Sequence, residues 1–161
     1  MGYYNGELRF YLGWAQEVGG DHAVAQETWR RADTELKSFL NEQPGNYLLI
    51  GDLALTNMAL GDKAAAFKLI ERAMAVVPIE KDAEDGPSQI EFLARVAAQL
   101  GERDRAIAAL HKLLSVPYEG ALAGRMALTP ALLRLDPMFD PLRNDPRFEK
   151  LASSASKAAD K

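Results

Sequence analysis

The sequence predicts an all-α fold built from stacked helix pairs. Turn glycines recur at equivalent places, 41 and then 40 positions apart, at Gly20, Gly61 and Gly101. The residues five, nine and twelve positions after each glycine are apolar in all three copies: Ala25, Ala66, Ala106, Trp29, Ile70, Leu110, Ala32, Ala73 and Leu113. Steps of four and three place these side chains on one helical face. Because one helix pair cannot bury both of its faces alone, the pattern predicts a stack of such pairs.

Length and composition agree with a folded domain that binds neither nucleic acid nor membrane. The 161 residues are 48% hydrophobic, which favours a packed core over global disorder. The formal net charge is -4 and the charges are interspersed, so the concentrated basic surface that phosphate binding requires is missing. The sequence also lacks an apolar run of about 18 residues and a signal peptide. We therefore expect a cytoplasmic chain.

The residues around the turn glycines resemble the tetratricopeptide repeat, a helix-turn-helix unit of about 34 residues. The second repeat, about 47–80, matches at the most positions: Ile50, Leu53, Ala54, Gly61, Ala66, Ile70, Ala73 and Pro78. The first repeat covers about 6–43, and its second helix is expected to continue through Leu36, Phe39 and Leu40. The third covers about 87–118. The resemblance implies a right-handed α-solenoid of three helix pairs.

The pattern changes after Pro117, and a different segment follows. Thr129-Pro130 is typical of a helix cap followed by the first helical residue. Asp136-Pro137-Met138-Phe139 and Asp145-Pro146-Arg147-Phe148 predict two further helix starts, each followed by a phenylalanine that packs on the third repeat. We therefore expect a helical C-terminal cap over 129–152, which completes a single domain over 6–152, and a disordered tail over 153–161.

The sequence gives no indication of catalysis or of a metal site. There is no cysteine, which excludes disulfides, thiolate metal sites and thiol nucleophiles. His22 and His111 have no helical ligand partner three or four residues away. Phosphate-binding loops, nucleophile elbows and calcium loops do not match either. We expect no catalytic residue, no metal and no cofactor, and so no enzyme.

The resemblance also implies where a partner would bind. In tetratricopeptide arrays, the first helix of each pair lines a concave groove. Transferred to this sequence, the groove residues are Tyr11, Trp14, Asp52, Leu55, Met58, Glu91, Phe92 and Arg95. Trp29 has a core position in the repeat, and Phe10 is expected to pack between helices. The aromatic and aliphatic groove residues suit a helix or an extended peptide. Asp52, Glu91 and Arg95 would set its polarity and register.

The predicted function is a protein-protein interaction module, or scaffold, that binds a peptide or a partner domain. The C-terminal segment TPALLRLDPMFDPLRNDPRFEKL resembles the end of tetratricopeptide regions in large bacterial signalling proteins. The alternative hypothesis is therefore a C-terminal regulatory, sensory or self-associating part of a kinase, a cyclase or a transcription regulator. In that case, the partner is another domain of the same polypeptide, and the chain is a fragment of a longer protein.

Overall fold

The computed structural model describes residues 3–122 and 126–154, with side chains from residue 6 onward. Every regular element in these ranges is helical, as the sequence predicts. The contacts group the chain into two compact units, Met1–Pro78 and Ile79–Lys161, which we call the N-terminal and C-terminal units. The sequence-based expectation of one domain over 6–152 stays a prediction. Most of the predicted tail, 155–161, lies outside the described residues.

The helices follow the predicted pairing. In the N-terminal unit the helices are α1 Tyr3–Val18, α2 His22–Glu42, α3 Tyr47–Ala59 and α4 Lys63–Val76. In the C-terminal unit they are α5 Gly86–Gln99, α6 Arg103–Leu113, α7 Pro130–Leu135, a 3-10 helix Pro137–Leu142 and α8 Pro146–Ser153. Consecutive helices pack as the pairs α1–α2, α3–α4 and α5–α6. None of the described helices has the length and apolarity needed to cross a bilayer.

The three turn glycines share one backbone geometry. Their φ angles are +91°, +83° and +78° at Gly20, Gly61 and Gly101. At each turn the glycine N–H donates to the carbonyl three residues back, and the next N–H donates to the carbonyl five residues back. For example, Asp62 N lies 2.9 Å from Asn57 O. This Schellman geometry requires a left-handed residue, which explains why glycine occupies all three positions.

The apolar stripe of each second helix forms the core of its pair. All nine stripe residues are buried, which confirms the spacing argument. α1 approaches α2 closely at Gly13, where a Cβ atom would lie 2.4 Å from Trp29 Nε1. That indole N–H donates a hydrogen bond of 3.1 Å to the Phe10 carbonyl. Trp29 and Phe10 are both buried, as predicted. Leu12, next to Gly13 in the repeat motif, is instead exposed.

The predicted starts of the C-terminal cap are confirmed. The side chains of Thr129, Asp136 and Asp145 accept hydrogen bonds from the backbone N–H groups of Leu132, Met138 and Arg147. In each case a proline follows the capping residue, as expected for a helix start. Phe139 and Phe148 are buried, with ring centroids 6.2 Å apart. The 3-10 helix packs on α5 and α8 packs on α6, so this segment covers the third helix pair.

The turn geometry predicts that Gly61→Ala destabilises the chain by about 1–2 kcal/mol, the usual cost of a left-handed L-residue. No atom lies within 4 Å of a Cβ built at Gly61, so the cost comes from φ rather than from a clash. Gly45→Ala is the matched control, because it has the same open space without a positive φ. Urea unfolding followed by circular dichroism measures both free energies. Equal losses in the two variants would contradict the assignment.

Candidate partner-binding surface

The first part of the predicted groove lies in the N-terminal unit, on α1. Tyr11 and Trp14 are half-buried. Both rings contact Phe10, with centroids 5.6 Å away for Tyr11 and 6.3 Å away for Trp14. Phe10 is itself fixed against α2 through the Trp29 hydrogen bond to its carbonyl. Two partly exposed aromatic rings therefore pack on a buried phenylalanine whose carbonyl is hydrogen-bonded to α2.

In the N-terminal unit, helix α3 carries the buried acidic residue Asp52. Asp52 is only 5% exposed, and Leu55 and Met58 beside it on α3 are also buried. Burial, and then the nearby carboxylate of Glu7 on α1, raise the pKa of Asp52 well above its usual value. α1 and α3 are in contact. We call Glu7, Tyr11, Trp14 and Asp52 the acidic aromatic surface.

The second part of the predicted groove, on α5 in the C-terminal unit, is a buried ion-pair network. Arg95 donates to Glu91 Oε1 over 3.0 Å and 2.8 Å and to Asp136 Oδ2 over 2.5 Å. The exposed fractions of these side chains are 5%, 1% and 23% for Arg95, Glu91 and Asp136. Burial alone would lower the pKa of Arg95, but the two carboxylates outweigh it and the pKa is raised. The guanidinium also lies 5.2 Å from the Phe139 ring centroid.

The remaining oxygen of Glu91 is occupied by the segment that follows the third helix pair. Glu91 Oε2 accepts from the Tyr118 hydroxyl at 3.0 Å and from the Ala121 N–H at 3.1 Å. The same hydroxyl accepts from the Leu128 N–H at 2.9 Å. Burial and then the Glu91 carboxylate raise the pKa of Tyr118 above its ordinary value. Both carboxylate oxygens of Glu91 are therefore satisfied by groups of its own chain.

The structure thus places the eight predicted groove residues in two different environments. Only Tyr11 and Trp14 keep intermediate exposure. The six buried members are Asp52, Leu55, Met58, Glu91, Phe92 and Arg95. A buried side chain contacts neighbours in its own chain, so a partner that touches it must first displace them. Whether a partner binds at any of the eight positions stays a prediction.

Sequence reasoning missed the partners of the α5 ion pair. Asp136 was predicted only as a helix cap and Tyr118 was given no role, yet both bind the charged groups of α5. Glu91 and Arg95 gave one usable signal, because opposite charges four residues apart on a helix indicate an ion pair. No pattern in the sequence indicates that Asp136 and Tyr118 are their distant partners.

Two further findings bear on function. Among residues 3–122 and 126–154, no group of three or more histidine, aspartate or glutamate side chains is arranged to hold a metal ion. Comparison of the chain with protein-family models, with curated proteins and with solved structures gives no match in any of the three. Functional inference therefore depends on the geometry described above.

The burial of Asp52 predicts that the contribution of this residue to the stability of the chain falls with rising pH. Its folded pKa exceeds the unfolded value of about 3.9, so the native state holds a proton that the unfolded state releases. The stabilisation from Asp52 is complete below about pH 3.9 and is lost as pH rises through the raised folded pKa. Asp52→Asn removes this dependence and should gain stability relative to wild type as pH increases. Urea unfolding of both proteins between pH 4 and 9 tests it; a difference that is constant with pH would contradict it.

The ion-pair network on α5 predicts that removing one charge destabilises the chain more than removing both charges. Arg95→Met leaves Glu91 buried without its cation and should cost about 3–5 kcal/mol. Glu91→Gln combined with Arg95→Met removes both charges and should cost less than Arg95→Met alone. Denaturant unfolding of the three proteins measures the difference. If the double variant lost more than the single variant, the buried charge would not be the source of the loss.

Proposed function

We propose that the chain is a cytoplasmic protein-protein interaction module of the tetratricopeptide type that binds a peptide segment of a partner. The observation that carries this proposal is the threefold recurrence of one helix pair, with a left-handed glycine at each turn and a buried stripe after it. Repeated helix pairs that stack into arrays are used widely as extended binding surfaces. The partner segment belongs either to another protein or to a further domain of the same polypeptide.

The acidic aromatic surface is the part of the predicted groove best suited to such a segment. Tyr11 and Trp14 are partly exposed and pack on Phe10, and accessible aromatic side chains are favoured anchors in interfaces. The α5 positions, by contrast, are engaged by Asp136, Tyr118 and Ala121 of the chain itself. We therefore assign the main contact to Tyr11 and Trp14 on α1 of the N-terminal unit.

The charge at this surface favours a basic, apolar peptide. Burial, and then the nearby Glu7 carboxylate, disfavour ionisation of Asp52 and raise its pKa. A lysine or arginine side chain that displaced the groups covering Asp52, which is 5% exposed, would stabilise the ionised form of Asp52, so binding would release its proton. Affinity for such a peptide should consequently increase as pH rises, and Asp52→Asn should weaken this increase.

Selection from a random peptide library displayed on phage tests the proposal without a known partner. We expect enrichment of peptides that combine Lys or Arg with apolar residues, and titration calorimetry with the enriched peptides then gives Kd. Trp14→Ala should weaken binding about tenfold or more and cost less stability than a fully buried ring would, because Trp14 is partly exposed. Trp29→Ala is the contrasting variant: it removes a buried ring and should cost about 3–5 kcal/mol of stability.

Each outcome of this experiment has a clear meaning. Enriched peptides that bind the Trp14→Ala variant as tightly as wild type would place binding on another surface. A selection that enriches no peptide would contradict the peptide-binding function itself. If Trp14→Ala and Trp29→Ala both unfold the chain, the division between a binding tryptophan and a core tryptophan is wrong.

A further inference from the structure

Helix α1 carries a second surface that the proposed function does not use. Leu8 is 61% exposed and Leu12 is 51% exposed. Together with the exposed Ala15, they recur at steps of four and three and therefore share one helical face. We call these three residues the outer face of α1. None of them is charged, so a partner can cover them without desolvating an ion.

The repeat register shows what covers the same face elsewhere in the chain. Shifting by the 41 positions between Gly20 and Gly61 superposes Leu8 on Leu49 and Leu12 on Leu53. Leu49 and Leu53 are 0% and 3% exposed. Thr56, which corresponds to Ala15, is buried as well. The same helical face is thus buried on α3 and open on α1.

On α3, the cover is the preceding helix. α2 packs on α3, and Leu49 and Leu53 belong to one core cluster with Leu36 and Leu40 of α2. Leu36 and Leu40 are four residues apart, so they form one apolar stripe along α2. The second half of α2 is therefore an example, within the same chain, of a helix that packs on this type of face.

A polar contact at the edge of this interface adds specificity. Asp33 of α2 accepts a hydrogen bond of 3.2 Å from Asn57 Nδ2 of α3. In the repeat register, Asn57 corresponds to Gln16 of α1, which is also an amide. Gln16 Oε1 accepts from the Thr28 hydroxyl at 2.8 Å, and its amide nitrogen is a donor of the same kind as that of Asn57. An acidic residue in the position of Asp33 would suit it.

We propose that the outer face of α1 docks an amphipathic helix of a partner with the chemistry of the second half of α2. Such a helix has two large apolar residues four positions apart, as Leu36 and Leu40 are, and an acidic residue three positions before the first of them. This inference is independent of the acidic aromatic surface, since Leu8, Leu12 and Ala15 do not belong to it. It names a second partner site on the same helix.

The probe is a peptide with the sequence of residues 30–43, held helical by a staple between positions 34 and 38. The staple is needed because short isolated helices are marginal in water. Positions 34 and 38 are both exposed in α2, so the staple stays away from the docking stripe. A control peptide carries Leu36→Gln and Leu40→Gln. Binding to the full chain is measured by fluorescence anisotropy.

Matched variants of the full chain locate the site. Leu8→Gln with Leu12→Gln should weaken peptide binding about tenfold or more, since both side chains would be covered on docking. Val24→Gln with Leu135→Gln replaces two exposed apolar residues outside this face and should leave binding unchanged. Circular dichroism confirms that both variants stay folded, and Trp14→Ala should have no effect on this peptide.

Three results would overturn the proposal. These are failure of the stapled peptide to bind the wild-type chain, equal binding of the control peptide, and equal binding to the Leu8→Gln, Leu12→Gln variant. Sedimentation velocity, which measures the oligomeric state of the chain, provides a fourth criterion. A wild-type dimer that the outer-face variant dissociates would assign the face to a second copy instead of a partner helix.

Discussion

The chain reversal at each turn glycine depends on a pair of backbone hydrogen bonds that close only around a left-handed residue. At Gly20, Gly61 and Gly101 this requirement is met in the same way, and the next helix starts after it. A fixed reversal sets the position at which the following helix meets its partner. The buried residues therefore fall five, nine and twelve positions after every turn glycine.

Within this common scaffold, the two units use charge differently. In the C-terminal unit, Arg95 neutralises Glu91, and the segment after α6 satisfies the remaining oxygen. Such a network is costly to disturb, because removal of one charge leaves the other buried. In the N-terminal unit, Asp52 is buried beside another carboxylate, and its pKa rises as a result. The carboxylate on α5 is therefore neutralised by an ion pair, whereas burial on α3 favours the uncharged form of Asp52.

The sequence predicted what is local in the structure. The turn glycines, the buried stripes and the Thr129, Asp136 and Asp145 caps all follow from interactions within a few residues. Contacts between distant segments leave no comparable pattern. The Arg95–Asp136 pair joins residues 41 positions apart, and no spacing rule indicates it. For the same reason, a helix-face argument could name the groove positions but could not predict that the chain's own segments bury most of them.

Comparing the burial of residues at equivalent repeat positions gives information that neither the sequence pattern nor the burial of one residue contains. Leu12 and Leu53 occupy the same motif position, and local reasoning assigns both to packing. Their exposure differs because α2 covers α3 on that side. The copy on α3 shows what packs at this position there: the apolar stripe of Leu36 and Leu40 on α2. Single exposed leucines are ordinary on protein surfaces, so Leu12 is distinguished by the buried copy at the equivalent position of α3 rather than by its exposure alone.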